Sequence, residues 1–339
     1  MEKIRAAIIG LGRIASLLEE DSLREKPCTH AGAISANPDC VLSGGCDTDE
    51  ERCRLFANRW KVPVYTEAPE MIRAQNPDIL VIATHPDSHY EYCRLAAACN
   101  IPVVICEKPL ADTLSAARKI ASLAAQGTIG RRGTTIIINH ERRYSADYIK
   151  AKEIIASGKL GPLLSVRAVL CMSEKKRLLD VFWHDGTHLA DALMFLTGLT
   201  LKHRRRWGAK LSASKGTAWL EGELKQKPVS VPVIIEIGAG RDHLVFEIEF
   251  SCTSGRLRIG NDLFEVWESA ESPYAEKFRS LKKIIESFEG PTGYFANMAA
   301  DAVACFREGG GRPQSRRPVS SAADGLAVIE YLNSVKALH

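Results

Sequence analysis

The sequence lacks long apolar runs and any strong excess of charge. No stretch of 18 or more apolar residues occurs, so we expect no membrane-spanning helix. The N-terminus, MEKIRAAIIGLG, has no apolar core followed by a small-residue cleavage site, which predicts a cytoplasmic protein without a signal peptide. A formal net charge of +4 over 339 residues is too weak to favour nucleic acid as a partner.

Paired cysteine spacing is also missing. None of the ten cysteines belongs to a CxxC pair, so we expect neither a structural zinc site nor any other bound metal. In a cytoplasmic protein such cysteines are typically reduced and buried. No internal repeat or low-complexity tract is visible, and the 45% hydrophobic and 25% charged residues are typical of a soluble globular protein of one large or two ordinary domains.

The first half of the chain alternates short apolar runs with helical segments. The runs are continuous and rich in β-branched residues, which is typical of parallel strands buried on both faces. Alternation of this kind predicts a doubly wound sheet with helices on both sides. The predicted strands cover residues 6–9, 41–46, 79–83, 103–106 and 134–138, and the helical segments cover residues 49–59, 89–99 and 113–126.

A glycine turn follows the first strand. Its G-x-G-x-x-A sequence predicts a dinucleotide site, in which Gly10 permits the tight turn and Gly12 lets the backbone approach a pyrophosphate. Arg13 and Ile14 complete the turn, and the phosphates would lie at the N-terminus of the helix that opens there. Glycines also serve ordinary turns, so the motif gains its meaning from the strand before it and the predicted helix after it.

Asp47 ends the second strand. An acid at this position accepts hydrogen bonds from the adenosine ribose and repels a 2′-phosphate, which favours NAD over NADP as cofactor. Asp47 lies 35 residues beyond Gly12, more than the usual spacing of about 20, and residues 17–30 look like an insertion that accounts for the difference. Asp47 could instead cap the next helix, and both roles could coexist.

Motifs spread over nearly the whole chain resemble those of the glucose–fructose oxidoreductase/inositol dehydrogenase (Gfo/Idh/MocA) family of NAD(P)-dependent oxidoreductases. The resemblance implies an N-terminal Rossmann domain followed by an α+β domain built on a mainly antiparallel open sheet. It also implies a carbohydrate substrate and a homodimer or homotetramer. The motifs, in order, are the glycine turn, T-H-P-D-S-H (84–89), E-K-P-L-A (107–111), R-R-Y (142–144), G-K-L-G (158–161), H-D-G-T-H (184–188) with Asp191, and D-G-L (324–326).

Lys108, in the E-K-P-L-A motif, is the predicted general acid and base. It follows a buried strand at the sheet edge where ligands bind in open α/β folds. Near a cationic nicotinamide its amine could take the hydroxyl proton while hydride leaves the same carbon, which is the role that the family resemblance gives it. Glu107 would face the nicotinamide ribose or position the lysine. The alternative is a surface lysine before a helix-starting proline.

His188 is the second predicted catalytic residue. Residues 183–197 have helical spacing, which places His184, His188 and Asp191 on one face. The family pattern is D-x-G-x-H, with its Asp and His beside the lysine and the substrate hydroxyl. His188 matches the His, but His184 stands in the place of the Asp and Asp185 comes one residue later, so either could act as its substitute. Structural histidines are the alternative, and a zinc site lacks a third ligand.

Two further motifs supply predicted binding residues. By resemblance, Thr84, Pro86 and His89 line the nicotinamide half of the cofactor groove, with His85 in the place of the family's first proline. The residues of the R-R-Y motif would hold the site at the domain junction or bind a phosphate or carboxylate of the substrate, unless the basic pair is merely a surface feature. They are Arg142, Arg143 and Tyr144.

The second half reads as a helix followed by strands without intervening helices, which predicts an antiparallel sheet. We expect a Rossmann domain over 1–130 with a strand at 134–140 at the junction, an α+β substrate and oligomerisation domain over 131–319, and an amphipathic C-terminal helix over 320–339, capped by Ser320 or Ser321. Basic residues 202–206 and 312–318 are predicted to be exposed. The predicted strands cover residues 163–171, 210–213, 218–224, 231–237, 244–250, 256–259 and 263–267.

These observations predict an NAD(P)-dependent dehydrogenase or reductase that acts on a CH–OH carbon of a sugar, cyclitol or sugar derivative. One alternative is a dinucleotide- or sugar-sensing binding protein without turnover. Another is a glycosidase that uses recycled NAD. The sequence specifies neither the substrate, the carbon oxidised nor the physiological direction of the reaction.

Overall fold

The protein is described by a computed structural model, which covers residues 2–125, 133–173, 176–309 and 316–337. The chain divides into two compact units. The first comprises Met1–Ser145 and Thr292–Ile329, and the second comprises Ala146–Pro291 and Glu330–His339. The predicted domain boundary at residues 130–131 and most of the basic segment 312–318 lie outside the described residues.

The first unit contains the predicted parallel sheet. Six strands pair in parallel in the order β3-β2-β1-β4-β5-β6, and the chain reverses its direction of winding on either side of β1. The four residues of β4 and of β5 are all buried, as expected for strands covered on both faces. The strands are β1 (Ile4–Ile9), β2 (Cys40–Cys46), β3 (Val64–Tyr65), β4 (Ile79–Ile82), β5 (Val103–Cys106) and β6 (Thr135–Ile138).

The helices of this unit confirm the predicted alternation, with one correction after the glycine turn. The helix expected to open there is a single turn, followed by a 3-10 helix over Leu17–Glu20. The first α-helix begins only at His30, where the Thr29 hydroxyl accepts a hydrogen bond from the Gly32 N–H. The helices are α1 (His30–Ala36), α2 (Glu50–Trp60), α3 (Ala68–Gln75), α4 (His89–Ala98) and α5 (Leu114–Ala125), and later in the chain α9 (Tyr294–Gly309).

The second unit contains a mixed sheet of eight strands in the order β14-β13-β12-β11-β7-β10-β9-β8. Strands β7 and β10 pair in parallel and the other pairs are antiparallel, so the mainly antiparallel sheet is confirmed. The strands are β7 (Leu163–Ser173), β8 (Thr200–Gly208), β9 (Gly216–Gln226), β10 (Val229–Arg241), β11 (Val245–Cys252), β12 (Gly255–Gly260), β13 (Leu263–Glu271) and β14 (Arg279–Ile285).

Three details of this sheet were not predicted correctly, and the first is strand β8, because its residues 202–206 were predicted only to be exposed. Residues 210–213 form a turn rather than a strand. Strand β14 was missed because most of its residues are exposed on an edge strand and follow no alternating apolar pattern. The helices of the unit are α6 (Ala146–Ala156), α7 (Leu178–Asp180) and α8 (Gly186–Thr197), and α10 (Ala322–Ala337) runs across the division between the units.

Other expectations can be checked directly. The cap of α10 is Ser321, whose N–H donates to an Asp324 carboxylate oxygen at 2.8 Å. All ten cysteines are free thiols and eight of them are buried, as predicted. Among the described helices, none combines the length and the hydropathy needed to cross a lipid bilayer.

Candidate active site

A cavity of about 570 Å³ opens at the carboxyl ends of β1, β2 and β4 in the first unit. This is the point where the strand order reverses, which is where open α/β sheets bind ligands. The structure brings seven of the predicted cofactor residues together in its wall. They are Gly10, Gly12, Arg13, Ile14, Asp47, Thr84 and His85.

The two glycines of the turn serve different purposes. Gly10 has φ +86°, and a Cβ there would lie 2.7 Å from the Ala83 carbonyl oxygen, so the turn requires glycine. A Cβ on Gly12 would meet nothing closer than the Arg52 guanidinium at 4.0 Å, which leaves the backbone open to the cavity. This open backbone fits the close approach of a dinucleotide pyrophosphate.

Asp47 is buried at the edge of the same cavity. Its carboxylate accepts the Leu11 N–H at 2.8 Å and the Asp49 N–H at 3.0 Å. The Arg52 guanidinium lies 3.6 Å away. The cap of α2 is Asp49, whose side chain accepts the N–H groups of the first turn, so the alternative of Asp47 as the helix cap is wrong. A role in holding the ribose stays a prediction.

The cavity wall also contains residues that the sequence analysis missed. Several lie just after β2, or in or just before the first turns of α2 and α4, which approach the cavity from either side of β1. The position of these helix starts after cavity-forming strands is the signal that could have found them. The missed residues with polar side chains are Thr48, Arg52, Thr66, Asp87, Ser88 and Tyr92.

Lys108 follows β5 and is half-buried, while Glu107 before it is buried. The Glu107 Oε1 lies 2.7 Å from His30 Nε2 and accepts a hydrogen bond from Asn139 Nδ2 at 2.6 Å. Its Oε2 accepts the Lys108 backbone N–H at 3.2 Å. Burial acts to raise the pKa of Glu107, but the contacts with His30 and Asn139, together with the positive charge of Lys108, outweigh it and lower the pKa, which favours the ionised form. Neither partner was predicted.

His89 connects two loops of the first unit. Its ring nitrogens lie 3.1 Å from the Thr84 carbonyl oxygen and 3.3 Å from the Leu110 carbonyl oxygen, and burial lowers its pKa. The side chain therefore ties the segment after β4 to the segment after Lys108. As far as the described residues show, neither His89 nor Pro86 lines the cavity itself.

The R-R-Y motif lies on a 3-10 turn over Glu141–Tyr144. The buried Arg143 guanidinium donates to the Val319 carbonyl oxygen and pairs with Asp324 at 3.2 Å, so the alternative of a surface basic pair fails for this residue. The buried Tyr144 hydroxyl donates to Asp301 at 3.1 Å. Arg142 is half-buried and pairs with Glu141 at 3.1 Å. Substrate contacts by these three residues stay a prediction.

In the second unit, the H-D-G-T-H motif crosses a change of helix type. Residues Val181–Asp185 form a π-helical turn, a feature frequent at functional sites, and α8 follows it. His184 is exposed, Asp185 and His188 are half-buried, and Asp191 is 1% exposed. The predicted common face of His184, His188 and Asp191 therefore spans quite different environments.

Asp185 has a partner that the sequence analysis missed. The Lys176 ammonium lies 2.8 Å from its Oδ2 and donates a hydrogen bond to it. The His184 backbone carbonyl accepts the Thr187 hydroxyl at 2.8 Å, which stabilises the junction between the π turn and α8. The structure thus gives Asp185 a fixed cationic neighbour and leaves the His184 imidazole on the surface of this unit.

Comparison with known proteins supports the resemblance to the Gfo/Idh/MocA family over the N-terminal part of the chain. Residues 4–129 match the Gfo/Idh/MocA oxidoreductase family with its NAD-binding Rossmann fold. Inositol 2-dehydrogenase of Rubrobacter xylanophilus is 29% identical over 160 residues, which cover 47% of this chain and 42% of that protein. The alignments thus span about two fifths of the length of such curated relatives. The resemblance to the Gfo/Idh/MocA oxidoreductases therefore lies in the N-terminal part of the chain.

Solved structures show the fold over the full length. A dehydrogenase from Chromobacterium violaceum superimposes with a TM-score of 0.75 at 15% identity, over 99% of this chain and 95% of that one. The WlbA dehydrogenase from Bordetella pertussis, in complex with NADH and UDP-GlcNAcA, gives a TM-score of 0.71 at 17% identity, over 99% and 96%. At these identities the likeness concerns the fold alone.

Proposed function

We propose that the protein is an NAD-dependent oxidoreductase that transfers hydride between nicotinamide and a CH–OH or C=O carbon of a sugar, cyclitol or sugar derivative. The observation that carries the proposal is the convergence of the glycine turn, Asp47 and the Thr84–His85 segment on one cavity at the strand-order reversal. An inositol dehydrogenase among the relatives and a sugar-nucleotide complex of a similar fold support the substrate class.

The cavity fits a dinucleotide in chemistry as well as in position. The open backbone at Gly12 would receive the pyrophosphate, and the Asp47 carboxylate would accept the adenosine ribose hydroxyls. When bound, the nicotinamide accepts or releases the hydride. We infer a preference for NAD, because a buried carboxylate repels the 2′-phosphate of NADP.

Lys108 is proposed to move the hydroxyl proton as hydride is transferred. Its backbone is held by the ionised Glu107, which fixes the segment that carries the amine. In the second unit, we propose that His188 hydrogen-bonds the reacting hydroxyl, with His184 or Asp185 in the place of the family's aspartate. The cytoplasmic location and the homodimer or homotetramer stay predictions from the sequence.

The test is a turnover screen with a matched pair of variants. Purified protein is mixed with NAD or NADH and a panel of sugars, cyclitols, sugar acids and nucleotide sugars, and nicotinamide absorbance is followed. We expect turnover that falls by about 10²–10⁴-fold in Lys108→Ala. Lys108→Arg keeps the charge but cannot release a proton, so it should be equally inactive.

Three results would overturn the proposal. Absence of dinucleotide binding would remove the basis of the cavity assignment. Dinucleotide binding without turnover on any panel member would favour the sensing protein. Substrate cleavage in which NADH forms only transiently and returns to NAD would favour the glycosidase with recycled cofactor.

A further inference from the structure

A buried carboxylate connects three segments of the first unit beside Lys108. The Glu107 Oε1 is contacted by both His30 Nε2 and Asn139 Nδ2, at 2.7 and 2.6 Å. The second oxygen, Oε2, holds the Lys108 backbone N–H at 3.2 Å. Two side-chain contacts on one oxygen leave the other oxygen to the peptide that carries the lysine.

Both donors are themselves fixed by the fold. The His30 backbone N–H donates to the Ile14 carbonyl at 3.2 Å, and its ring stands edge-on to Phe295 with centroids 5.1 Å apart. The Asn139 backbone N–H donates to the Cys106 carbonyl at 2.8 Å. The carboxylate is therefore oriented from two sides by groups that cannot easily follow it if it turns.

Asn139 orients the Glu107 carboxylate at a cost to the stability of the core. Its side chain is 3% exposed, and its Oδ1 has no hydrogen-bond partner among the described residues. A buried oxygen without a partner destabilises a folded protein, and an apolar residue of the same size would avoid it. The feature that favours asparagine here is the N–H group directed at Glu107.

We propose that His30 and Asn139 are positioning residues for Lys108, because their contacts with Glu107 Oε1 hold this carboxylate against the lysine's backbone and keep it from turning toward the lysine's ammonium. The inference rests on the proposed function only in treating Lys108 as the acid and base. A carboxylate next in sequence is a strong competitor for the ammonium group, since charge-assisted hydrogen bonds are about twice as strong as neutral ones. A captured ammonium would release its proton less readily.

Chemical reactivity of the amine tests this without any substrate. The whole protein is treated with trace acetic anhydride, and acetylation of Lys108 is compared by peptide mass spectrometry with that of the exposed Lys61. Only the unprotonated amine reacts, so capture by Glu107 slows acetylation. We expect the Lys108-to-Lys61 ratio to fall at least threefold in His30→Leu and in Asn139→Leu, either of which suffices if the other does not fold.

Three further variants separate positioning from packing. His30→Gln retains an N–H donor and should keep the ratio within twofold of the original protein. Phe295→Leu removes the ring that packs on His30 but leaves the donor, and should also leave the ratio unchanged. In His30→Leu/Glu107→Gln the neutral amide cannot capture the ammonium, so the ratio should recover. An unchanged ratio in both leucine variants, or no recovery in the double variant, would refute the proposal.

The result is distinguishable from the fate of the proposed function. Acetylation is measured with neither dinucleotide nor substrate present. Turnover that is lost in Lys108→Ala, combined with acetylation that His30 and Asn139 do not affect, would leave the enzyme assignment intact and refute the positioning role. Acetylation that responds as expected, without turnover by the original protein, would support the positioning of the lysine and refute the dehydrogenase.

Discussion

Replacement of Asp47 by serine is expected to remove the preference for NAD over NADP. Asp47 is 8% exposed in the cavity wall, and its carboxylate is held by two backbone N–H groups, from Leu11 and Asp49. In the proposed complex it would accept the ribose hydroxyls of NAD and face the 2′-phosphate of NADP. Serine is too short to reach both N–H groups and carries no charge, so attraction to NAD and repulsion of NADP are lost together.

The size of the effect follows from the charges around the cavity. Two like charges about 5 Å apart repel by about 3 kcal/mol at an effective dielectric constant of about 20. The Arg52 guanidinium, 3.6 Å from Asp47, offsets part of this, although its side chain is 47% exposed and therefore screened. We expect a net discrimination of about 2 kcal/mol, or about 30-fold in the dissociation constant.

Calorimetric titration with NAD and NADP measures this ratio directly. The ratio should exceed ten in the original protein and approach one in Asp47→Ser. Arg52→Ala is the matched variant, because removing the offsetting cation should raise the discrimination instead of lowering it. Equal affinities for the two dinucleotides in the original protein, or a ratio that Asp47→Ser leaves unchanged, would show that the carboxylate does not lie at the ribose.

Four more changes have definite expected outcomes. Gly10→Ala should unfold or strongly destabilise the first unit, because its Cβ would collide with a backbone carbonyl. Gly12→Ala should instead melt at the same temperature as the original protein and lose affinity for the dinucleotide. Melting curves and binding curves of the two variants, measured in parallel, check both expectations. Burial acts to raise the pKa of Glu25, but hydrogen bonds at the start of α9 outweigh it and lower the pKa from its ordinary value of 4.5. Because solvent screens this exposed carboxylate, Glu25→Gln should lose only about 0.5 kcal/mol of unfolding free energy above pH 5 and little below pH 3, in urea titrations across that range. Tyr144→Phe, which frees Asp301 of one donor, should lose about 1 kcal/mol of stability and keep its Michaelis constants, and a raised substrate Michaelis constant would instead support a binding role.

The sheet of the first unit could be predicted because the apolar composition of its strands reflects their burial on both faces. The four residues of β4, Ile79–Ile82, are all apolar and all buried. Strand β3 was missed because it has two half-buried residues, too few for any periodic pattern. Strand β14 is long enough to show a pattern but was missed because most of its residues are exposed. It is an edge strand that is stabilised by its pairing with β13 rather than by burial.

Some residues of the candidate site could likewise be predicted from the sequence, and others could not. Gly10, Gly12 and Asp47 were predictable because they lie where strands end, and the topology of a parallel sheet brings strand ends together. His30 and Glu107 are 77 residues apart, and Asn139 follows Glu107 by 32 residues. No spacing rule connects them, because their contact depends on how α1 and the end of β6 pack at the sheet edge. Long-range polar contacts of this kind need coordinates.

The helix that carries His184 shows how a correct pattern can give a wrong detail. Regular α-helical spacing predicted one face for His184 and Asp191. The π turn over Val181–Asp185 accommodates an extra residue, which rotates everything before it relative to α8. Because α8 is buried on nearly all sides, Asp191 lies in the core while His184 reaches the surface of the unit. The apolar periodicity predicted the position of the helix but could not reveal a single inserted residue.

The segment between Ser16 and Thr29 explains why Asp47 lies farther along the chain from the glycine turn than is usual. The His30 N–H donates to the Ile14 carbonyl, and the Ala31 N–H donates to the Ala15 carbonyl, so α1 resumes where the turn stopped. The intervening segment loops out, and Glu25 attaches it to Thr292 and Gly293 by hydrogen bonds of 2.8 to 2.9 Å. Without it, turn and helix would be continuous and Asp47 would follow Gly12 at about the usual spacing of 20 residues. The extra residues thus form a loop inserted into an ordinary dinucleotide-binding unit. Where this loop ends, at the start of α1, His30 lies in contact with Glu107.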